Sequence, residues 1–354
     1  MIQQFRNGFK VILKVRDKYI FVSLFLFGAN LIYLFKRFHL SNKQEINQLL
    51  NNIIQFSGIF SAILITFIVS KVFQIRQERL ERRKEIVKFA NKTTDFRRIA
   101  RVLKNCYGFW NKEMRRTMDN NYKVLSFFDV HLWDYDNEDK KYSPELKKLR
   151  SEFLNHEGLQ GSYLYLDIKS LVLDEYHSWQ LELYDRYDYD FTYSIEILEK
   201  WTGAHSGNNL WYCLDHKWNS YKGCFDFNAL REHDQNEIVD LCKKINPLKY
   251  RNSKFNKDLL ASVGGEFDGY ILPRLHELTY YNTLGLPQSL NFLLLILFLT
   301  IISGVLLPLL ATSIKVNTDL LLITSNVAVG ILCLSLFYFL FKFRKILINE
   351  IKIG

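Results

Sequence analysis

Four stretches of the chain are apolar over 17 to 22 consecutive positions: residues 19–35, 53–73, 290–311 and 320–341. A helix needs about 20 such residues to cross roughly 30 Å of hydrocarbon, and it satisfies its own backbone hydrogen bonds where water cannot. The pattern predicts four transmembrane helices arranged as two hairpins. Residues 75–287, between the second and third runs, are polar and follow a helical rather than an alternating period. The expected fold is an all-α integral membrane protein in three parts. These are an N-terminal tail and hairpin (1–74), a mainly α-helical cytosolic domain (75–287), and a second hairpin with a basic tail (288–354).

The stretch from Ile53 to Arg116 organises this scheme. Its apolar start passes into RQERLERRKE, which has almost no apolar face, and then into a stripe of Ile99, Val102, Leu103, Cys106, Phe109 and Trp110 at helical spacing. It reads as one transmembrane helix continuing as a basic neck (75–116), with one buried stripe at its far end. Farther on, Ser143, Pro144 and Glu145 have the order of an N-cap, a first-turn proline and a first-turn acid. They precede a Leu146, Leu149, Phe153 stripe that ends near Gly158. Asp234 and Glu237 form an acidic variant of the capping box ahead of Ile238, Leu241, Cys242 and Ile245, with a stop before Pro247. Segments 162–185 and 192–201 are expected to be helical, 266–287 to approach the third span with Pro273 and Pro287 as punctuation, and Gly304 with Pro308 to bend that span.

Charge sets the orientation. Residues 71–116 hold 15 Lys/Arg against 5 Asp/Glu, an excess equal to the +10 of the whole chain, whereas 119–240 hold 24 acidic and 12 basic residues. The N-terminal tail (Arg6, Lys10, Lys14, Arg16, Lys18) and the C-terminal tail (Lys342, Arg344, Lys345, Lys352) are basic. The loop TSIKVNTD carries one Lys and one Asp, and Lys36, Arg37 and Lys43 in the first hairpin run mildly against the trend. By the excess of basic residues on cytoplasmic segments, both termini and the central domain face the cytoplasm of a plasma (inner) membrane. The basic N-terminus has no small-residue cleavage site after it and reads as an uncleaved anchor. Five cysteines, an odd number in a reducing compartment, are expected to be free thiols.

Several clusters have the residue types of a site. Arg76, Arg79, Arg82, Arg83, Lys84, Arg97, Arg98 and Arg101 form a basic series suited to lipid phosphates or another anion. Ser57, Gly58, Ser61 and Ala62 make overlapping small-x-x-x-small pairs that let a second helix approach, within one bundle or around a pore. His205, Cys213, His216 and Cys224 are zinc-ligand types, but only the Cys-x2-His step has a short spacing, and the flanking Trp201, Trp211 and Trp218 suit an aromatic core instead. Asp185, Asp188 and Asp190 lack the glycine and terminal Glu of a calcium loop. Asp167 and Lys169 form an acid-x-Lys step of the kind some metal-dependent nucleases use, although the triplet is common by chance. No phosphate loop, dinucleotide fingerprint, nucleophile elbow or His-Glu-x-x-His occurs. No ionisable residue lies mid-span, which argues against proton relays and ion-coupled carriers.

These features favour a non-enzymatic, self-associating channel or regulated membrane effector whose cytosolic domain senses a ligand or protein partner. Anionic lipids are the expected surface partner, nucleic acid is not expected, and no cofactor or metal is called for. The alternatives are a membrane-anchored enzyme acting on a phosphorylated or lipid substrate, and a scaffold that recruits a cytosolic protein.

Overall fold

A computed structural model describes residues 43–131, 143–156, 159–172, 192–283, 287–313 and 318–353. The first apolar run and Asp185, Asp188 and Asp190 lie outside them. Among the described residues every element is helical, with one isolated bridge between Trp110 and Phe225. Three helices are long and apolar enough to cross a membrane, within Gln44–Asn105, Ser289–Ser313 and Leu320–Phe343. They carry the second, third and fourth apolar runs.

The chain divides into two compact units, Met1–Glu78 with Gly285–Gly354, and Arg79–Leu284. Helix α1 (Lys43–Asn105) is unbroken over 63 residues and supplies core residues to both. In the first unit Ile46, Leu50 and Ile53 of α1 cluster with Ala311, Leu321 and Leu332, while Leu64 and Ile68 cluster with Leu290, Leu293 and Ile296. The partners come from α13 (Gln288–Ile301), α14 (Leu307–Ser313) and α15 (Thr318–Ile353). Buried hydroxyls in these helices bond their own preceding turn, as Thr300 does to the Ile296 carbonyl at 2.8 Å and Ser303 to that of Leu299 at 2.7 Å. That local bond satisfies a hydroxyl within its own helix, without a partner from a neighbouring one.

Between α13 and α14 the backbone opens into a π turn, Ile302–Leu306, closed by the Leu307 amide on the Ile302 carbonyl. Pro308 follows. A proline has no amide for the carbonyl four residues back, here that of Gly304, and its ring crowds that carbonyl; a wider turn relieves both faults. The expected irregularity at Gly304 and Pro308 is therefore a π turn. The second unit repeats the device: π turn Phe267–Ile271 lies between α11 (Lys257–Glu266) and α12 (Leu272–Thr283), with Gly269 four residues before Pro273. Pro273 does not interrupt the approach to the third span as expected. The π turn absorbs it and helix continues to Thr283.

The centre of the second unit is α1 itself. All residues from 93 to 100 are buried, not one stripe of them, and Phe89, Phe96, Ile99 and Leu103 enter its aromatic-rich core. The neck also ends earlier than expected. Helix α1 stops at Asn105, a 3-10 turn covers Tyr107–Phe109, and α2 (Lys112–Asn120) begins anew with the Asn111 side chain accepting from the Met114 amide. Gly108 fixes the break, since a Cβ there would lie 2.8 Å from that of Ala229. Around α1 pack α3 (Phe127–His131), α4 (Pro144–Leu154), α5 (Ser162–Val172), α6 (Ile195–Gly203), α7 (Asn208–Trp211) and α9 (Glu232–Ile245).

The Ser143 cap of α4 holds, its hydroxyl accepting from the Leu146 amide at 3.2 Å. Helix α9 buries Ile238, Leu241, Cys242 and Ile245 as the spacing requires, but it starts at Glu232. Asp234 instead binds the Arg231 guanidinium at 2.9 and 3.2 Å in the first turn. All five cysteines are free.

Candidate functional site

Asp167 lies on α5, a helix with ten of its eleven residues buried, and is itself fully buried. Its Oδ2 accepts hydrogen bonds from the Gly207 amide and from the Asn209 side-chain amide, both at 2.9 Å. These donors stand at the start of α7, whose N-cap is Gly207, a residue with no side chain to offer. A carboxylate from a distant helix thus caps α7, satisfying donors that a helix start leaves open.

The loop held in this way is tightly constrained. Gly207 has φ +88° and a Cβ there would lie 2.7 Å from the Phe267 ring; His205 has φ +51°, a left-handed conformation that only a minority of non-glycine residues adopt. His205 Nδ1 lies 3.1 Å from Asp268 Oδ1, on the π turn Phe267–Ile271. After α7 a further π turn, Tyr212–His216, shifts the register to five residues and stacks the His216 ring on Trp211 with centroids 5.2 Å apart. Gly264 lets these two irregular helices close up, for a Cβ there would lie 2.6 Å from that of Leu210.

Burial dominates the electrostatics. It raises the Asp167 pKa to about 7, although the Asn209 side chain and the Gly207 and Asn209 amides favour the ionised form; Asp268 adds a smaller upward push. Burial also raises the Asp268 carboxyl against the pull of His205, and lowers His131 with help from His205. The Cys213 thiol is pushed up to about 12, first by burial, and is a protonated core group, not a nucleophile.

The structure separates the residues grouped in the sequence. Of the basic series, Arg76, Arg83 and Lys84 are exposed and Arg79, Arg82 and Arg101 half-buried. Arg97 and Arg98 are core residues, fully or almost fully enclosed, and this corrects their assignment to a surface anion site. Arg97 donates from Nε to the Leu171 carbonyl at 2.7 Å and packs over the Tyr193 and Trp201 rings; Arg98 lies near Asp95 and Glu237. Arg82 donates to the Tyr281 carbonyl at 3.3 Å.

The four small residues also part. Ser57 and Ser61 are buried in the first unit, Ser57 against Gly304, while Gly58 and Ala62 are exposed. The acid-x-Lys step serves two separate contacts. Asp167 caps α7, and Lys169 donates to the carbonyls of Tyr122, Lys123 and Leu125, the second at 2.7 Å.

The zinc-ligand types do not converge. His205 pairs with Asp268, His216 stacks on Trp211, and Cys213 and Cys224 lie in the core. Among the described residues no three His, Cys, Asp or Glu side chains gather as a metal site. Sequence reasoning missed Asp167 as a cap and Asp268 as the His205 partner. The left-handed demand of Ser206-Gly207 before Asn208-Asn209 was the one local signal of a helix start needing outside help. No protein-family model, curated protein or solved structure matches the chain.

Proposed function

We propose that this chain is a non-enzymatic membrane effector, a self-associating channel or membrane-perturbing protein with four spans, both termini and the central domain cytoplasmic, that converts a state of the cytosolic domain into a change in the bilayer. The observation that carries the reading is helix α1, which lies in the core of the apolar unit at Ser57, Leu64 and Ile68 and in the core of the other unit from Phe89 to Leu103. Ordering one residue's backbone costs about 1 to 2 kcal/mol, and helix already formed through 79–85, where little apolar surface is buried, suits a connection that transmits torsion.

Orientation rests on the distribution of Lys and Arg, and the exposed Arg76, Arg83 and Lys84 suit anionic headgroups. Gly304 meets Ser57 so closely that this crossing leaves no space for an ion. A conducting path would therefore form between copies, with Gly58 and Ala62 on the outward face of α1. The enzyme alternative draws little support from His205, Cys213 and His216, which do not meet, and the scaffold alternative remains tied to an acidic surface for a cytosolic partner.

Reconstitution tests the proposal. Particle imaging in lipid nanodiscs is expected to show a closed ring of copies, and loaded vesicles containing the protein are expected to leak. A strictly monomeric particle in vesicles that stay sealed overturns it.

A further inference from the structure

We propose that Asp167 is a proton-operated latch, in which loss of its proton favours opening of the 205–209 loop and release of the start of α7. The geometry comes first. Asp167 is wholly enclosed, Oδ2 is held by two neutral donors, and Oδ1 has no hydrogen-bond partner among the described residues. Among the described residues no cation pairs with it, whereas buried carboxylates are ordinarily paired. Gly207 is roofed by Phe96 of α1 and Phe267, so the loop shields the carboxylate from solvent, while its left-handed His205 has an exposed side chain. Lifting this strained loop would take both donors off Asp167 and open the carboxyl to water.

The surrounding charged groups do not substitute for a counterion. From the 267–271 π turn comes Asp268, of like charge and engaged by His205. From α3 comes His131, disfavoured as a cation by burial and by His205. From the 212–216 π turn comes the neutral Cys213 thiol. On α1 the Arg97 guanidinium is committed to the Leu171 carbonyl, Tyr193 and Trp201, with Arg98 beside Asp95 and Glu237; on α5 itself Lys169 is tied to three carbonyls.

The sign follows from linkage. Most native carboxylates have lowered pKa values and stabilise the fold as pH rises, but here burial raises the value from 3.8 to about 7. The closed loop consequently holds a proton that the opened, hydrated loop releases. Opening is favoured about tenfold per pH unit between roughly pH 4 and 7 and levels off above about 7. Asp167 then acts as a sensor of falling cytosolic pH, which shuts the latch. This inference takes the cytosolic side of the domain from the proposed topology, and the latch itself stands or falls independently of the channel proposal.

Hydrogen exchange of the amides from 207 to 211, on the full chain in nanodiscs and corrected for the intrinsic pH dependence of exchange, tests it. The expected result is an opening constant that climbs about tenfold per unit between about pH 5 and 7 and then flattens. Asp167→Asn, which keeps an acceptor on the donors, is expected to remove the slope, and Asp268→Asn to keep it. A flat wild-type profile, or an unchanged slope in Asp167→Asn, overturns the proposal. Should Asp167→Asn not fold, the infrared band of a protonated carboxyl decides on the wild-type and Asp268→Asn proteins. Loss of that band in both between about pH 6 and 8 supports the latch, and its absence at about pH 6, where ordinary carboxyls are already ionised, refutes it.

Discussion

Gly304 is the position in the apolar unit where one methyl group would do most harm. A Cβ placed on it would lie 1.9 Å from Ser57 Oγ, 2.4 Å from Ser57 Cβ and 2.7 Å from Leu332 Cδ1, all below any contact that real Cβ atoms make. The π turn that contains it and the following Pro308 hold the backbone there, so it cannot simply retreat. Overpacking of this kind costs about 1 to 3 kcal/mol and more where backbone must move. Gly304→Ala is expected to lower the thermal midpoint of the detergent-solubilised protein, and Ser57→Gly, which deletes two of the three clashing atoms, to restore part of the loss when combined with it. Additive losses in the double variant would show that the two residues do not share the crossing.

At the scale of an element, α1 changes character along its length in a way its charges conceal. Arg83 and Arg97 look alike in a basic series, yet one is exposed and the other enclosed with its Nε on the Leu171 carbonyl. Removing the Arg97 guanidinium strands that carbonyl and opens a cavity against two aromatic rings, which costs about 2 to 4 kcal/mol; Arg83→Gln is expected to stay within about 0.5 kcal/mol. Chemical denaturation followed by tryptophan fluorescence checks this, because the Arg97 guanidinium sits 5.4 Å from the Trp201 ring. Equal midpoints for the two variants would contradict the burial.

The contrast shows what the sequence makes readable. Apolar length and cap chemistry are local, so the three long apolar helices, the Ser143 cap and the inner face of α9 follow directly from residue order. Thr94, Arg97 and Arg98 have the composition of a solvated face, yet each is buried against a partner from far along the chain: Tyr193, Leu171 and Glu237. The Asp167 cap is long-range in the same sense, and no spacing within α5 reveals it. By contrast Gly269 with Pro273, and Gly304 with Pro308, repeat a Gly-x-x-x-Pro step at two of the three π turns among the described residues. That signal is local and present in the sequence, where a proline at this spacing predicts a bend or a break and the backbone answers with a wider turn.

For the whole molecule the decisive matter is whether α1 transmits torsion, and its helical period supplies a graded test. Each alanine inserted after Gln77 lengthens the helix by about 1.5 Å and rotates everything beyond it by about 100°. Two inserted residues displace the 79–105 segment by about 200°, the worst mismatch, whereas four leave it about 40° past a full turn and seven about 20° short of two turns. Alanine keeps the helix intact, so the variants differ in phase more than in stability. If the proposed effector works through rotation of α1, vesicle leakage is expected to fall with one or two insertions and to recover in part at four and more fully at seven. The far-UV helical signal should change little throughout. Leakage that declines steadily with insertion length would show that span rather than phase matters. Leakage indifferent to every insertion would mean that the Arg79–Leu284 unit acts on the bilayer without α1 as its shaft, and the coupling assigned to this helix would have to be withdrawn.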